Sequence, residues 1–403
     1  MGRRIEALVN PEMLVWARRR SHFDVIGAAR RVGVKPERLQ AWEEGKARPT
    51  VKQAMKLAQI YGCPLSAFYL RERPKGVQIA IQDFRQFAGA PEAKWSPALA
   101  REILTAQERR NVMLELSSDA EGEFFPPGPT RIEEDPETVA FRLRRFLRVS
   151  LVVQGQWRSV AQALRGWIRA VEKSNVLVFH TKVRGLALEP AEAHGFCLSY
   201  RQFPVIVLNA KDVVSRRIFT LLHEFVHLVL RQSGVCDLAE TEPDLNSWGK
   251  NAEVFCNWVA GAILVPLAAL QERAYHLSVG TRDVWDEREI RELASWFKVS
   301  REVVVRRLLT AGLTTREFYL EKREQYRREW EQYKDREKSR EQKGHPPETV
   351  FVLRENGTAY CRKVFQAYYD DELTLTDLSD FLDAKLEHVI GVEKELFFSR
   401  VTP

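Results

Sequence analysis

The hydrophobic and polar positions of this chain follow two different periods. Over most of its length apolar residues recur every three to four positions, as they do along one face of an α-helix. Three stretches are instead rich in β-branched and aromatic residues, and they predict strands at 176–179, 195–199 and 204–209. Residues 205–208 are continuously apolar, which is typical of a buried strand. The pattern therefore predicts a multidomain, mainly α protein with one α+β region.

Residues 1–73 predict short helices separated by turns. Pro11 stands at a favoured first-turn position, Asp24 can cap a second helix, and Gly33 can end that helix. A third helix is predicted at 36–44, and a fourth after Thr50. Short helices joined by glycine-containing turns are typical of an all-α helix-turn-helix domain.

The positive charge of the chain is concentrated at the same end. Residues 1–75 hold 16 Lys+Arg and 7 Asp+Glu, a net charge of +9, whereas the whole chain carries +7. A basic excess confined to one end favours binding of double-stranded DNA. The candidate contacts are charged residues of the 36–44 helix and the turn after it: Lys35, Glu37, Arg38, Lys46 and Arg48.

Four of these five candidates have specific expected roles. Arg38 can read guanine and Glu37 can accept a hydrogen bond from cytosine, because both side chains stand near the exposed start of the 36–44 helix. Lys46 and Arg48 follow that helix and are expected to contact phosphate. For each of them a solvated surface charge is the simpler interpretation, and the whole domain is alternatively a protein-docking or dimerisation module.

A central apolar helix, predicted at about 213–231, contains the sequence His223-Glu224-Phe225-Val226-His227. Histidines four residues apart share one helix face, so both imidazoles can reach one metal ion, and the adjacent glutamate can take a proton from a water. The alternative is a structural helix whose histidines make ordinary hydrogen bonds. Two histidines without partners would be costly in so apolar a helix, which favours the metal site.

A catalytic zinc site needs a third protein ligand. Glu240 and Glu242 stand in a polar segment, where exposed carboxylates are expected, whereas Glu253 opens a second apolar helix, predicted at 252–265. Glu253 is therefore the preferred ligand, and Asn257, one turn later, is expected to support or pack beside it. Two histidines and one carboxylate suit Zn²⁺ and also accept Mn²⁺, Fe²⁺ or Co²⁺.

The sequence also supports predictions for the remaining segments and for the location of the protein. The strand at 205–208 is either an edge that receives an extended peptide or a plain core strand. Further helices are predicted within 283–312, and residues 316–343 predict a charged helix or spacer. A small α/β extension is expected at the C-terminal end. We expect no membrane span, and five scattered cysteines without a C-x-x-C pair indicate reduced thiols and a cytoplasmic location.

The central region resembles the ImmA/IrrE family of metallopeptidases, in the stretches 204–209, 217–228 and 253–266. The resemblance implies a zincin-like α+β fold with His223, His227 and Glu253 as zinc ligands and Glu224 as the catalytic base. Cys256 stands where alanine is common in the family, and Trp258-Val259 replaces a usual Arg-Phe pair. Family members cut transcriptional repressors, often in stress responses or mobile-element induction.

The N-terminal region resembles XRE-type (lambda-repressor-like) helix-turn-helix domains, in the stretches 28–34 and 39–49. This resemblance implies an Arg18–Glu43 ion pair, a recognition helix at 36–44 and a homodimer on operator DNA. The expected domains are a helix-turn-helix domain (1–73), a linker and helical segment (74–149), a metallopeptidase domain (150–312), a charged spacer (313–345) and a C-terminal extension of unassigned role (346–403).

Two classes of function are compatible with these features. The first is a DNA-binding regulator with a zinc endopeptidase domain that cleaves a repressor-like protein in a stress or mobile-element response. The second is a non-catalytic regulator or antitoxin-like protein, whose metallopeptidase fold acts as a sensor or docking module. The intact Glu224 favours the first, because a purely structural metal site needs no base beside its ligand.

Overall fold

A computed structural model describes residues 5–74, 82–83, 95–118, 122–124, 126–232, 234–236, 251–277, 283–338 and 347–398. The chain divides into two compact units. The first takes its described residues from 1–80, 86–108 and 182–188, and the second from 81–85, 109–181 and 189–403. The helix-turn-helix segment therefore belongs to the first unit and the central histidine pair to the second.

Most of the described chain is helical. The α-helices are α1 (Pro11–Arg20), α2 (Val25–Val32), α3 (Pro36–Glu43), α4 (Val51–Tyr61), α5 (Pro97–Glu115), α6 (Pro136–Phe146), α7 (Leu151–Gln156), α8 (Val160–Glu172), α9 (Val214–Val229), α10 (Ala252–Leu264), α11 (Leu267–Leu277), α12 (Glu287–Phe297), α13 (Arg301–Thr310), α14 (Arg316–Lys338), α15 (Glu348–Asn356), α16 (Thr358–Tyr369), α17 (Leu375–Phe381) and α18 (Leu386–Glu393). A 3₁₀ helix spans Leu65–Tyr69, and a π-helical turn spans Lys394–Phe398. The strands are β1 (Gln82–Asp83), β2 (Leu177–His180), β3 (Gly195–Leu198), β4 (Val205–Leu208) and β5 (Gly234–Cys236).

The first unit is built on α1 to α4, whose ends carry the capping residues that the sequence predicts. The Asp24 carboxylate accepts a hydrogen bond from the Gly27 amide at 2.7 Å, and Gly33 ends α2 in the left-handed conformation. Thr50 and Gln53 form a reciprocal cap at the start of α4. The apolar faces of these helices enclose a core that includes the fully buried Trp42.

The second unit contains a mixed five-stranded sheet in the order β1-β5-β3-β4-β2. Strand β4 pairs in parallel with β2 and antiparallel with β3, and Leu208 lies opposite Gly195. The three predicted strands are thus present. The suggestion that 205–208 is a peptide-receiving edge is wrong, because β4 lies between two other strands. Its unbroken apolar run is buried at every position, as an interior strand requires.

Helix α9 packs against β3, α8 and α10, and these contacts fix the predicted metal-binding helix in the core. Gly195 makes the approach to β3 possible, because a Cβ there would stand 2.6 Å from Cγ2 of Thr220. At the far end of α10, the terminal carbonyls accept hydrogen bonds from buried side chains of Arg144, Gln154 and Arg307. The last carbonyl groups of α10 therefore have hydrogen-bond partners inside the protein.

The C-terminal extension differs from the prediction. We expected an α/β segment, but the described residues 347–398 form α15 to α18 and the π-helical turn, with no strand in that range. The apolar run from Thr349 to Leu353 is too short for its pattern to distinguish a strand from a buried helix. Phe351 and Val352 are buried on α15, so tertiary packing stabilises the helical conformation of this run.

This extension covers β2. Phe179 of β2 meets Tyr360 edge-on, with ring centroids 6.0 Å apart. Gly357, between α15 and α16, has a φ of +72°, and a Cβ there would stand 2.3 Å from the carbonyl oxygen of Val178. Only glycine permits this approach, so the chain docks α15 and α16 directly against the strand.

The helices predicted at 213–231 and 252–265 are α9 and α10, within two residues of their expected bounds, and the segments 283–312 and 316–343 contain α12, α13 and α14. Helix α7 and strands β1 and β5 were not predicted, because they are short or fall in segments interpreted as linker or loop. Helix α11 was not predicted either. Among the described residues no single helix is long and apolar enough to cross a membrane; α10 and α11 reach that length and composition only together, across a 56° bend.

Candidate functional site

The structure brings together the three predicted metal ligands. His223 and His227 project from α9 with no solvent exposure, and Glu253 lies in the first turn of α10 with a side-chain exposure of 13%. The two imidazole Nε2 atoms are 3.1 Å apart. The Glu253 carboxylate oxygens lie 3.3 Å from Nε2 of His223 and 3.0 Å from Nε2 of His227.

These distances fit a shared metal ion. Nitrogen and oxygen ligands bind zinc at about 2.0–2.2 Å, so donors at the corners of a tetrahedron lie about 3.3 Å from one another. The three donor atoms of this cluster have nearly that spacing. It is also the single His/Cys/Asp/Glu cluster of metal-binding geometry among the side chains that the structure describes. The arrangement is therefore suited to one divalent cation.

The histidine tautomer supports the same conclusion. Nδ1 of His227 lies 3.3 Å from the side-chain oxygen of Gln232, which can only accept a hydrogen bond. A proton on Nδ1 fits this contact and leaves Nε2 as the ring nitrogen that faces His223 and Glu253. Gln232 was not identified from the sequence, because it stands beyond the five-residue motif in a segment read as loop.

The Glu253 carboxylate is held in its charged form. Burial alone would raise its pKa, but the positive charges and hydrogen bonds of His223 and His227 outweigh burial and hold the pKa well below its usual range. For His227 burial lowers the pKa, while its contacts with Cys256 and Glu253 raise it well above the usual value. Without a metal the cluster thus behaves as a buried ion pair.

Glu224 is fully buried beside this cluster. Burial raises the pKa of its carboxyl above the usual range, despite the nearby positive charge of His223 and His227 and a hydrogen bond with Cys197. A raised pKa brings a carboxyl closer to the range in which it can both accept and return a proton. Chemically, the position suits a general base.

Two buried cysteines also line the cluster. Cys197 on β3 contacts Glu224, and Cys256 on α10 contacts His227. Both are free thiols. The sequence analysis noted Cys256 as an unusual residue for its position but not its contact with His227, because helix spacing alone does not tell which side chains meet across α9 and α10.

The remaining candidates of this region have different outcomes. Asn257 is buried on α10 one turn after Glu253, as predicted, and its supporting role stays a prediction. The rejected alternatives Glu240 and Glu242 lie outside the described residues.

The DNA-binding candidates all lie on the surface of the first unit. The recognition helix predicted at 36–44 is α3, which spans Pro36–Glu43. The five candidate side chains are exposed: Lys35, Glu37, Arg38, Lys46 and Arg48. Their exposure permits DNA contact, and their individual roles stay predictions.

An internal ion pair fixes α3 against α1. The Arg18 guanidinium donates two hydrogen bonds to the Glu43 carboxylate, at 2.7 and 2.9 Å, and a third to the Phe23 carbonyl oxygen. This is the ion pair that the XRE-type resemblance implies. Arg18 therefore holds α3 against α1.

Two details of this surface were not predicted. Gln40 is exposed on α3 one turn after Glu37 and has the amide chemistry that reads adenine. The ammonium of Lys46 lies 2.6 Å from the Glu44 carboxylate, and both side chains are largely exposed. Glu44 thus offsets part of the charge that Lys46 would offer to phosphate.

Comparison with known protein families finds one match in each of the two regions. Residues 17–68 match a helix-turn-helix family model, and residues 171–309 match the peptidase M78 family model described as the IrrE N-terminal-like domain. No curated protein matches the chain at a significant level. The first match includes α3 and its flanking turns, and the second includes all three clustered ligands and Glu224. The chain thus joins an XRE-type helix-turn-helix domain to an IrrE N-terminal-like domain of a metallopeptidase family.

Proposed function

We propose that this protein is a DNA-binding transcriptional regulator whose zinc-dependent endopeptidase domain cleaves a repressor-like protein in a stress or mobile-element response. The observation that carries the proposal is the convergence of His223, His227 and Glu253 with a buried Glu224 beside them. A structural metal site has no need of a buried carboxyl next to its ligands. The joined helix-turn-helix domain supports a regulatory target near the DNA.

In the proposed mechanism each residue has one task. His223, His227 and Glu253 would hold the zinc ion, which would supply Lewis acidity at this position. Glu224 accepts the proton from the attacking water and returns it to the leaving amine. Gln232 keeps the His227 ring in the tautomer that leaves Nε2 free.

The metal and the location follow from the same reasoning. Zn²⁺ is the proposed ion, and Mn²⁺ or another divalent metal is compatible with a two-histidine, one-carboxylate set. We propose that the protein acts in the cytoplasm, where an operator and a repressor are both accessible. A homodimer is the expected DNA-binding form, because operators for such domains usually have two half-sites.

The test compares wild-type protein with Glu224→Gln in cells. The variant should keep its metal and its genomic binding sites, because Glu224 is neither a proposed ligand nor part of the DNA-binding unit. New protein N-termini generated under inducing stress should disappear, since losing a general base lowers peptide hydrolysis by about 10²–10⁴-fold. The measurements are metal content by mass spectrometry, chromatin mapping and N-terminal proteomics.

If promoter control and the set of N-termini were identical in the two strains, catalysis would not be the function. The non-catalytic regulator, with a sensing or docking metal fold, would then be the better description.

A further inference from the structure

The C-terminal extension contains a helix pair, α17 and α18, that is built like α2 and α3 of the first unit. Thr374 caps α17 by accepting a hydrogen bond from the Asp377 amide at 3.2 Å, as Asp24 caps α2. Helices α17 and α18 then pack against each other, as α2 and α3 do. Both pairs therefore consist of a capped helix, a short turn and a second helix.

The turns of the two pairs also have the same backbone structure. Gly33 after α2 and Asp383 after α17 both have a left-handed φ, of +86° and +47°. The next amide, of Val34 in one turn and Ala384 in the other, donates a hydrogen bond to the carbonyl oxygen five residues earlier, at 3.0 Å in both. Each residue of the second turn stands 350 positions after its counterpart in the first.

The buried positions of the two pairs coincide in the same register. At four positions both pairs bury an apolar side chain: Ala28 and Leu378, Val32 and Leu382, Leu39 and Val389, and Trp42 and Val392. Few residues are identical between the two stretches, so this likeness is visible in the structure and not in the sequence. The shared cap, turn and core positions indicate that α17 and α18 form a second helix-turn-helix.

The exposed face of α18 differs from that of α3. Where α3 carries Pro36 and Gln40, α18 carries Leu386 and Ile390, which are 50% and 61% exposed. These two side chains lie one turn apart on the same helix face. An apolar pair offers no hydrogen bond to base edges, so α18 is suited to contact protein rather than DNA.

The charge of this helix pair is also opposite to that of the first unit. Residues 370–398 hold 9 Asp+Glu and 2 Lys+Arg, a net charge of −7. Asp380, Asp383 and Glu387 are exposed, although Lys385 lies 3.6 Å from Glu387 and offsets part of its charge. Such a surface repels DNA phosphate and also repels an identical surface. The charge therefore favours a basic protein partner.

The first unit of the chain offers a surface of this kind. Residues 1–75 carry a net charge of +9. Ile26 on α2 and Met55 on α4 are each more than half exposed. Exposed cations stand within one turn of them, since Arg30 follows Ile26 and Lys52 precedes Met55. Apolar side chains among cations complement apolar side chains among carboxylates.

We propose that the α17–α18 helix-turn-helix is a protein-docking surface, and that it binds the basic first unit of a second copy of this chain. Leu386 and Ile390 supply the apolar contact, and the surrounding carboxylates attract the basic unit. Because the contact joins two different surfaces, copies associate head to tail. The docking surface goes beyond the proposed peptidase function and does not depend on the metal cluster.

The experiment measures self-association of the full chain by sedimentation velocity at rising concentration, without DNA. Wild type should associate, and Leu386→Lys/Ile390→Lys should weaken association about tenfold or more, because the apolar pair is lost and positive charge faces a basic unit. Ile26→Glu/Met55→Glu should weaken it from the other side of the contact. All four side chains are exposed, so neither change disturbs a core.

The matched control is Val152→Lys/Val284→Lys. It makes the same kind of change at two exposed valines of the second unit that lie outside the C-terminal extension. Its association should equal that of wild type.

A mixture of the two weakened variants tests the head-to-tail contact directly. Leu386→Lys/Ile390→Lys keeps a normal first unit, and Ile26→Glu/Met55→Glu keeps a normal α17–α18 surface. The mixture should therefore form a 1:1 complex at concentrations where neither variant associates alone.

Salt gives a test that needs no substitution. Raising the salt concentration from about 0.05 M to about 0.5 M should weaken wild-type association, because it screens the attraction between the acidic and the basic surface. Association that stays constant or grows stronger with salt would be purely apolar and would contradict the proposal.

Three further results would overturn it. Wild type that stays monomeric at every concentration would exclude a second copy as the partner, and a mixture without complex would show that the two surfaces do not meet. Weaker binding of random duplex DNA by Leu386→Lys/Ile390→Lys than by wild type would show that α18 contacts DNA, because added lysines alone should strengthen that binding.

Discussion

The two candidate sites of this molecule are constructed in opposite ways. The cluster of His223, His227 and Glu253 on α9 and α10 consists of side chains with little or no exposure, which are packed on every side. The recognition surface around α3 is made of long, exposed, charged side chains. A buried polar group needs a specific partner, whereas a solvated charge does not. For this reason a buried site is specified by its residues far more closely than an exposed one.

The sharpest test of the comparison is Glu253→Gln, because a buried site should not tolerate the loss of one ligand. The variant keeps nearly the same shape but loses the negative charge that balances a divalent cation. Metal affinity should fall by at least about 100-fold, since losing residues that merely support a ligand already costs 10–100-fold. Mass spectrometry of protein purified without added metal should find about one metal ion per wild-type chain and almost none in the variant.

The control for this experiment is Glu224→Gln, which removes a buried carboxyl next to the ligands without removing a ligand. Metal content that is unchanged in Glu253→Gln would show that the third ligand is another residue.

The Arg18–Glu43 ion pair tests whether the first unit also contains a buried charged group that depends on one specific partner. The pair is nearly buried, with side-chain exposures of 12% and 7%. Arg18→Met should destabilise the unit by about 3 kcal/mol, because the Glu43 carboxylate loses its partner. Hydrogen exchange of the α1 and α3 amides should then speed up by about 100-fold.

The double variant Arg18→Met/Glu43→Leu should recover much of this loss, because no charge is left unpaired. If the double variant were as unstable as both single changes added together, the ion pair itself would not be the cause.

The smallest expected effects are those on the exposed surface. Arg38→Ala should cost about 1–3 kcal/mol on a specific operator and less on random DNA, if Arg38 reads a base. Lys46→Ala should weaken binding to both DNAs by under about 1 kcal/mol, because Lys46 already pairs with Glu44. Fluorescence anisotropy at several salt concentrations, on an operator found by chromatin mapping, measures both.

Equal losses for Arg38→Ala on operator and random DNA would mean a phosphate contact. The recognition surface would then carry affinity but no sequence information from this residue.

The same contrast explains which parts of the structure the sequence predicts. The three central strands and the helices that carry the clustered ligands are predictable, because their apolar patterns and their capping residues indicate the same elements. Strands β1 and β5 cannot be predicted from the sequence, since two or three residues are too few to show an alternating pattern. The C-terminal extension was misjudged because the run at 349–353 suits both strand and helix, and only packing against β2 decides.

For the candidate metal site, the ligands on one face of α9 and the carboxylate on α10 could be predicted from the sequence. Gln232, Cys197 and the contact of Cys256 with His227 could not, because these depend on how separate elements approach in space. On the DNA surface, exposure is easy to predict, but the base or phosphate contact of each residue depends on a partner that the chain does not contain.

The docking of Gly357 onto Val178 has a practical consequence for anyone who shortens this protein. Cutting the chain before residue 346 would keep His223, His227 and Glu253 together in a smaller fragment, but it would also uncover the outer side of β2. An uncovered apolar strand with free backbone groups readily recruits a strand from another molecule. The truncated fragment should therefore aggregate more readily than the full chain, and its aggregation would say nothing about its chemistry.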